Sequence, residues 1–369
     1  MFPWPRTLDA SPVFSINQLT ATSSGRNRFI AEFISHLRLH GFARIRNSGV
    51  APESIKELFR QHRNFFNLPL PAKLTVRHPG GVAPARGYSP WAYEKTAVLR
   101  PDLHAAPGVD TLISSPSHQI EFSARSFGLI GSSKTQLLDA REQFAIGPPG
   151  DSSFPTPQLA ESLLPDFNAV TRDIYHEIAK TCSKLVLAIE LGLGVPLGTF
   201  DSLATGELGA ELNLNFYPEV EHNVLNDNNG SDVAMRRIWP HSDLGIISAL
   251  FQDGVGASGL ELEVRGPREG NCEFAPVPIE QEGDVLLLVS DTLERWTNGD
   301  LRAALHRVGL PPGSTTSRVP ERRSAVMFFR ALPTADIGPK PHFISTENPA
   351  RYDHITAGDY LKRHNKRLY

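Results

Sequence analysis

Residues 211–218 read Glu211-Leu212-Asn213-Leu214-Asn215-Phe216-Tyr217-Pro218, and this alternation decides the fold. Successive side chains of an extended strand leave by opposite faces. Leu212, Leu214 and Phe216 therefore form an apolar side, and Asn213, Asn215 and Tyr217 a polar one. Further short runs follow at about 234–239, 245–251, 260–265, 274–279, 284–290, 304–310 and 323–330, separated by Gly, Pro, Asn and Asp, the residues that end strands and make turns. Together with 210–217 these make eight strands, which suit a two-sheet jelly-roll barrel with protected edges and an open mouth. The Asn and Tyr side is either the polar wall of a cofactor site inside that barrel or an ordinary solvent-facing strand side.

Upstream of the barrel the period changes to that of a helix. Phe167, Val170, Ile174, Ile178, Leu185, Val186 and Ile189 share one face between Pro165 and Leu193, long enough to brace a sheet. Near the N-terminus, Phe29, Ile30, Phe33, Ile34 and Leu37 repeat at helical spacing until Gly41, a residue suited to the left-handed turn that ends helices. A short strand, Phe42 to Arg46, and a second helix from Pro52 to Pro69 complete a helix-strand-helix opening. Residues 79–157 are rich in Pro, Gly and Ser and read as mostly irregular. Ala106 to Lys134 reads as a long loop, either a lid or a surface insertion. The expected fold is mainly β with flanking helices: an N-terminal region over 1–157 and a barrel core over 158–369, in one compact unit.

Composition narrows the partners. Of 369 residues, 40% are hydrophobic and 21% charged, ordinary for a globular chain with a sizeable core. The formal charge of -3 leaves no basic face to neutralise phosphates, so nucleic acid is not an expected partner. A basic cluster, Lys362-Arg363-His364-Asn365-Lys366-Arg367, reads as a solvated C-terminal helix end. Only two cysteines, Cys182 and Cys272, occur, too few for a disulfide framework. No apolar run is long enough to span a membrane. A monomeric, cytoplasmic protein acting on a small molecule is the expectation.

Chemistry gathers in the barrel segment. His241-Ser242-Asp243 places an imidazole and a carboxylate two residues apart, on one face of a strand, and His306 lies in the apolar run Ala303-Ala304-Leu305-His306-Arg307-Val308. Two His and one carboxylate on one face of a metal, with open positions for co-substrate and O₂, is the non-haem Fe(II) oxygenase arrangement. Taken singly, His241 and Asp243 read equally well as a surface turn, and His306 as a hydrogen-bonded core residue. Arg322 and Ser324, again two apart, enter the apolar run Ala325-Val326-Met327-Phe328-Phe329. A buried guanidinium requires an anion. That anion is either an internal partner such as Glu321 or the carboxylate of a bound ligand.

In order and spacing, His241-Ser242-Asp243, His306-Arg307-Val308, Arg322-Arg323-Ser324 and Asn215-Phe216-Tyr217-Pro218 resemble the 2-oxoglutarate- and Fe(II)-dependent oxygenases of the isopenicillin N synthase-like superfamily, and fungal natural-product tailoring members in particular. Gly41 to Val50, Phe65-Phe66-Asn67-Leu68-Pro69, Arg86-Gly87-Tyr88 with Glu94, and Thr297-Asn298-Gly299-Asp300 look like the same family's flanking segments. The resemblance implies a double-stranded β-helix in which His241, Asp243 and His306 hold Fe(II). Arg322 and Ser324, helped by Tyr217 and Asn215, would hold 2-oxoglutarate. It implies O₂-dependent hydroxylation, desaturation, epoxidation or ring formation on a small secondary metabolite, with succinate as co-product. Phe216, Trp239, Leu244 and the segment Ile113 to Phe127 are the expected pocket lining. Competing readings are an isopenicillin N synthase-like Fe(II) oxidase without 2-oxoglutarate, a non-catalytic carboxylate-binding barrel, and a zinc hydrolase.

Overall fold

The computed structural model describes residues 11–20, 22–80, 84–100, 136–204, 209–225, 233–256, 258–265, 273–313 and 317–368. Two sheets face each other. The larger has eight strands in the order Val13–Ser15, Phe42–Arg46, Val285–Val289, Ile247–Gln252, Arg322–Phe329, Glu211–Tyr217, Glu142–Ile146 and Gly87–Ser89. The smaller has four, Glu273–Pro276, Leu260–Val264, His306–Val308 and Ile238–His241. Every expected strand is present, the run at 234–239 being divided into Val233–Arg236 and Ile238–His241. Expectation and structure part over 79–157. Glu142–Ile146 is a strand paired antiparallel with Glu211–Tyr217, and Gln136–Asp139 pairs in parallel with Val233–Arg236. The loop expected from Ala106 to Lys134 lies outside the described residues.

Burial explains why the central strands read as nearly continuous apolar runs. Leu250, Leu286, Leu288 and Val326 point between the sheets, toward Leu260, Leu262 and Val308. On the other face Ala249, Leu287, Val289, Met327, Leu212 and Leu214 join the cluster that contains Ile178, Leu185 and Ile189 of the helix Phe167–Leu193. A sheet covered on both sides has no solvent face on which to alternate. The helices Ser23–His40 and Pro52–Phe66 pack against the same long helix. Gly41 ends the first of them at φ 74°, and its N–H donates to Leu37 O at 2.8 Å. A Cβ there would lie 2.7 Å from Arg302 O, so both conformation and space require glycine.

Candidate active site

His241 and His306 are directly opposite each other in the antiparallel pair formed by Ile238–His241 and His306–Val308. Their ring centroids are 4.3 Å apart. Asp243 Oδ1 lies 3.6 Å from His241 Nε2 and 3.9 Å from His306 Nε2. One donor atom from each of the three residues lies within 4.8 Å of the others, and all three side chains are buried. His241 Nδ1 is 2.8 Å from Trp239 O and His306 Nδ1 is 3.0 Å from Ala304 O. A carbonyl can only accept, so each Nδ1 carries the proton and each Nε2 presents its lone pair, the tautomer a metal ligand needs. Asp243 Oδ2 is buried without a hydrogen-bond donor. A carboxylate oxygen in that state is costly unless a cation meets it, so the donor set fits a divalent metal.

The turn after Asp243 is held by the start of the helix Asp291–Trp296. The N–H groups of Asp291, Thr292 and Ser290 donate to the carbonyls of Asp243 (2.8 Å), Gly245 (2.9 Å) and Ile246 (3.1 Å). The Thr292 hydroxyl donates to Leu244 O at 2.9 Å. First-turn N–H groups have no partner within their own helix, and here they fix the backbone beneath the carboxylate. A Cβ on Gly245 would come 2.7 Å from Phe329 O, so this turn packs directly on the strand that carries Arg322 and Ser324.

Arg322 and Ser324 face Tyr217 and Asn215 across that strand's pairing with Glu211–Tyr217. The Arg322 guanidinium lies 4.9 Å above the Tyr217 ring. It donates to Ser324 Oγ at 2.9 Å through Nη1 and to Ser258 Oγ at 3.0 Å through Nε, while Nη2 is buried without an acceptor. Glu321 pairs with Arg323 at 2.6 Å, so it is not the partner of Arg322. Among the described residues no acidic side chain forms an ion pair with Arg322. Burial pushes this guanidinium below its ordinary pKa, the signature of a cation short of an anion.

A cleft opens beside His241 and Asp243, lined by polar and apolar side chains together, as small-molecule sites are. Its polar wall joins Asn213, which the alternation placed on the polar side, to Glu94, Arg141, Gln143 and Glu211, to which the sequence reading gave no role in a pocket. Glu94 accepts from Arg141 Nη2 and, at 2.9 Å, from Gln143 Nε2. Arg141 Nη1 donates to Asn215 Oδ1 at 2.9 Å. Glu211 accepts from Arg86 at 2.9 Å and from Arg330 at 3.0 Å. Gln143 Oε1 and Asn213 Oδ1 are buried acceptors without donors. Leu244, Phe328, Leu361 and Leu368 make the apolar part, and Asn365 also lines it.

Three expectations change. Phe216 packs outside the cleft, against Phe66 and Arg323, because it shares the Leu212 and Leu214 side of its strand. Trp239 is fully buried and donates from its indole to Leu138 O; of the described lining candidates only Leu244 borders the cleft. The C-terminal helix Ala357–Leu368 is solvated on one side only, since His364 and Asn365 are buried. Ile113 to Phe127 lies outside the described residues.

Residues 210–331 match the model of the 2OG-Fe(II) oxygenase superfamily, and residues 11–166 that of the N-terminal region of non-haem dioxygenases in morphine synthesis. The 2-oxoglutarate-dependent dioxygenase imqE of Aspergillus flavus is 36% identical over 332 residues, covering 89% of this chain and 86% of the relative. The chain belongs to the 2OG-Fe(II) oxygenase superfamily. Another similar oxygenase, phqC of Penicillium fellutanum, is 33% identical over 380 residues, covering 99% of this chain and 94% of its own. The full-length Neurospora crassa T7H, solved in complex with alpha-KG, has the same fold: TM-score 0.76 at 23% identity, over 98% of this chain and 99% of that one. This oxygenase therefore uses Fe(II), 2-oxoglutarate and O₂. Its described residues include no helix long and apolar enough to cross a membrane.

Proposed function

We propose that His241, Asp243 and His306 hold the Fe(II), and that Arg322 and Ser324, with Tyr217 beside them, take the far carboxylate of 2-oxoglutarate. The substrate is then a secondary metabolite of small-molecule size lodged in the adjoining cleft. The carrying observation is the pair of Nδ1-anchored imidazoles meeting a buried carboxylate with an unpartnered oxygen. When bound, Fe(II), 2-oxoglutarate and O₂ supply the oxidant, with the keto acid decarboxylated to succinate.

The chain's own residues supply position and dryness. The carbonyls of Trp239 and Ala304 fix the two rings, and the helix start at Ser290 to Thr292 fixes the Asp243 turn. Among the described residues Arg322 has no acidic partner, as a carboxylate clamp requires. In the cleft, Leu244, Phe328, Leu361 and Leu368 pack on the carbon skeleton and keep water away. Gln143 Oε1 and Asn213 Oδ1 call for N–H or O–H donors on the substrate. Which C–H faces the metal, and so whether the outcome is hydroxylation, desaturation, epoxidation or ring formation, follows from that pose.

Asn215 serves this site indirectly, since its amide oxygen is engaged by Arg141. A monomer in the cytoplasm, with neither membrane nor nucleic acid as partner, belongs to the same reading, as does the division into 1–157 and 158–369. Metal retention tests it. After anaerobic loading and desalting, the wild type should keep about one Fe(II) per chain and His306→Ala far less. Equal retention would remove His306 from the ligand set.

A further inference from the structure

Arg237 is a second buried guanidinium beside the same phenol ring. Its residue is 2% exposed, and its guanidinium carbon lies 5.9 Å from the Tyr217 ring that Arg322 overlies at 4.9 Å. Among the described residues it has one hydrogen bond, from Nη2 to Pro320 O. Nε and Nη1 are buried with no acceptor, and among the described residues no acidic side chain forms an ion pair with it. Burial and the neighbouring Arg322 push it down to about 10. Two like charges lie beside one phenol ring, each with unused donors, although a buried cation is costly unless an anion compensates it. The surplus of positive charge and of unused N–H groups is matched by a carboxylate bearing a full negative charge and several lone pairs.

We propose that Arg237 is a second positioning residue for the far carboxylate of 2-oxoglutarate, acting with Arg322 to select a dicarboxylate over a monocarboxylate 2-oxo acid. This rests on the co-substrate reading given above. The Pro320 contact holds the guanidinium against the segment immediately before Arg322, so the two cations are set in place together. A purely structural Arg237 would instead stabilise the protein without ligand, by stacking on Tyr217 and tying down Pro320.

The test is equilibrium binding of 2-oxoglutarate and of 2-oxobutyrate, which lacks the second carboxylate, to Mn(II)-loaded wild type, Arg237→Met, Arg237→Gln and Arg322→Met. Thermal midpoints are measured on the same samples with and without ligand. Losing a charged hydrogen-bond donor weakens binding by about tenfold or more. Arg237→Met should therefore bind 2-oxoglutarate about tenfold more weakly, with 2-oxobutyrate affinity changed less than about twofold. Its unliganded midpoint should hold or rise, and the ligand-induced shift should shrink. Arg237→Gln should behave the same way and serves if the methionine variant does not fold. Unchanged 2-oxoglutarate affinity, equal weakening of both acids, or a lowered unliganded midpoint with ligand binding intact would overturn the proposal. If Arg322→Met also binds 2-oxoglutarate normally, the co-substrate site itself is misplaced, an outcome distinct from failure at Arg237 alone.

Discussion

Two groups of buried arginines stand along the polar face of the strand Glu211–Tyr217, one at Glu211 and Asn215 and one at Tyr217, and they differ in what faces them. On the cleft side Arg141 meets Glu94, and Arg86 meets Glu211, in pairs made within the chain. At the other end Arg322 and Arg237 meet hydroxyls, a carbonyl and a phenol ring, with donors left over. Paired charges complete a wall, whereas on the reading proposed above the two without an acidic partner among the described residues receive a ligand's carboxylate. Burial alone does not separate structural arginines from ligand-binding ones. The presence or absence of an internal carboxylate does.

The largest expected effect breaks the comparison if it fails. Removing Arg141 takes its paired guanidinium from the buried Glu94 carboxylate, so Arg141→Met should lose about 3–5 kcal/mol of folding stability. Arg322→Met, which strands no acid, should lose less than about 1 kcal/mol without ligand. Urea denaturation of both variants measures this, and equal losses would show that Arg322 is as structural as Arg141.

A smaller effect concerns pH. Asp139 is buried beside Arg141, with its carboxylate also accepting from Thr96. Burial outweighs the pull of Arg141 and raises its pKa to about 7, against about 3.9 in an unfolded chain. Between those values the folded protein keeps a proton the unfolded chain has released, so Asp139 makes stability fall as pH rises through that window. Asp139→Asn should flatten this slope between about pH 5 and pH 7. Denaturation midpoints across that range check it, and an unchanged slope would mean that Arg141 holds Asp139 ionised throughout.

Much of the barrel was legible because strand alternation and helical spacing report burial directly. The residues proposed for the metal and the clamp stand out in the sequence because each set lies two residues apart at or beside a strand, with His306 alone in an apolar run. The cleft wall was not. Glu94, Arg141 and Gln143 sit in or beside a stretch without regular period, and Arg141 finds Asn215 74 residues away. Arg237 adjoins Arg236, and such a basic doublet looks like surface until the fold buries one member. Asn365 was hidden by the lysines and arginines around it, although a helix can turn one residue inward while its neighbours face water. Phe216 was assigned to the pocket against the alternation that already placed it with Leu212 and Leu214.

The most direct test of the central claim is an anaerobic titration of Fe(II)-loaded protein with 2-oxoglutarate, following the weak visible charge-transfer absorption of the chelate. The account predicts a saturable band in the wild type, its loss in His241→Ala, and saturation only at much higher 2-oxoglutarate in Arg322→Met. Iron bound by the wild type with no band at any 2-oxoglutarate concentration would contradict it.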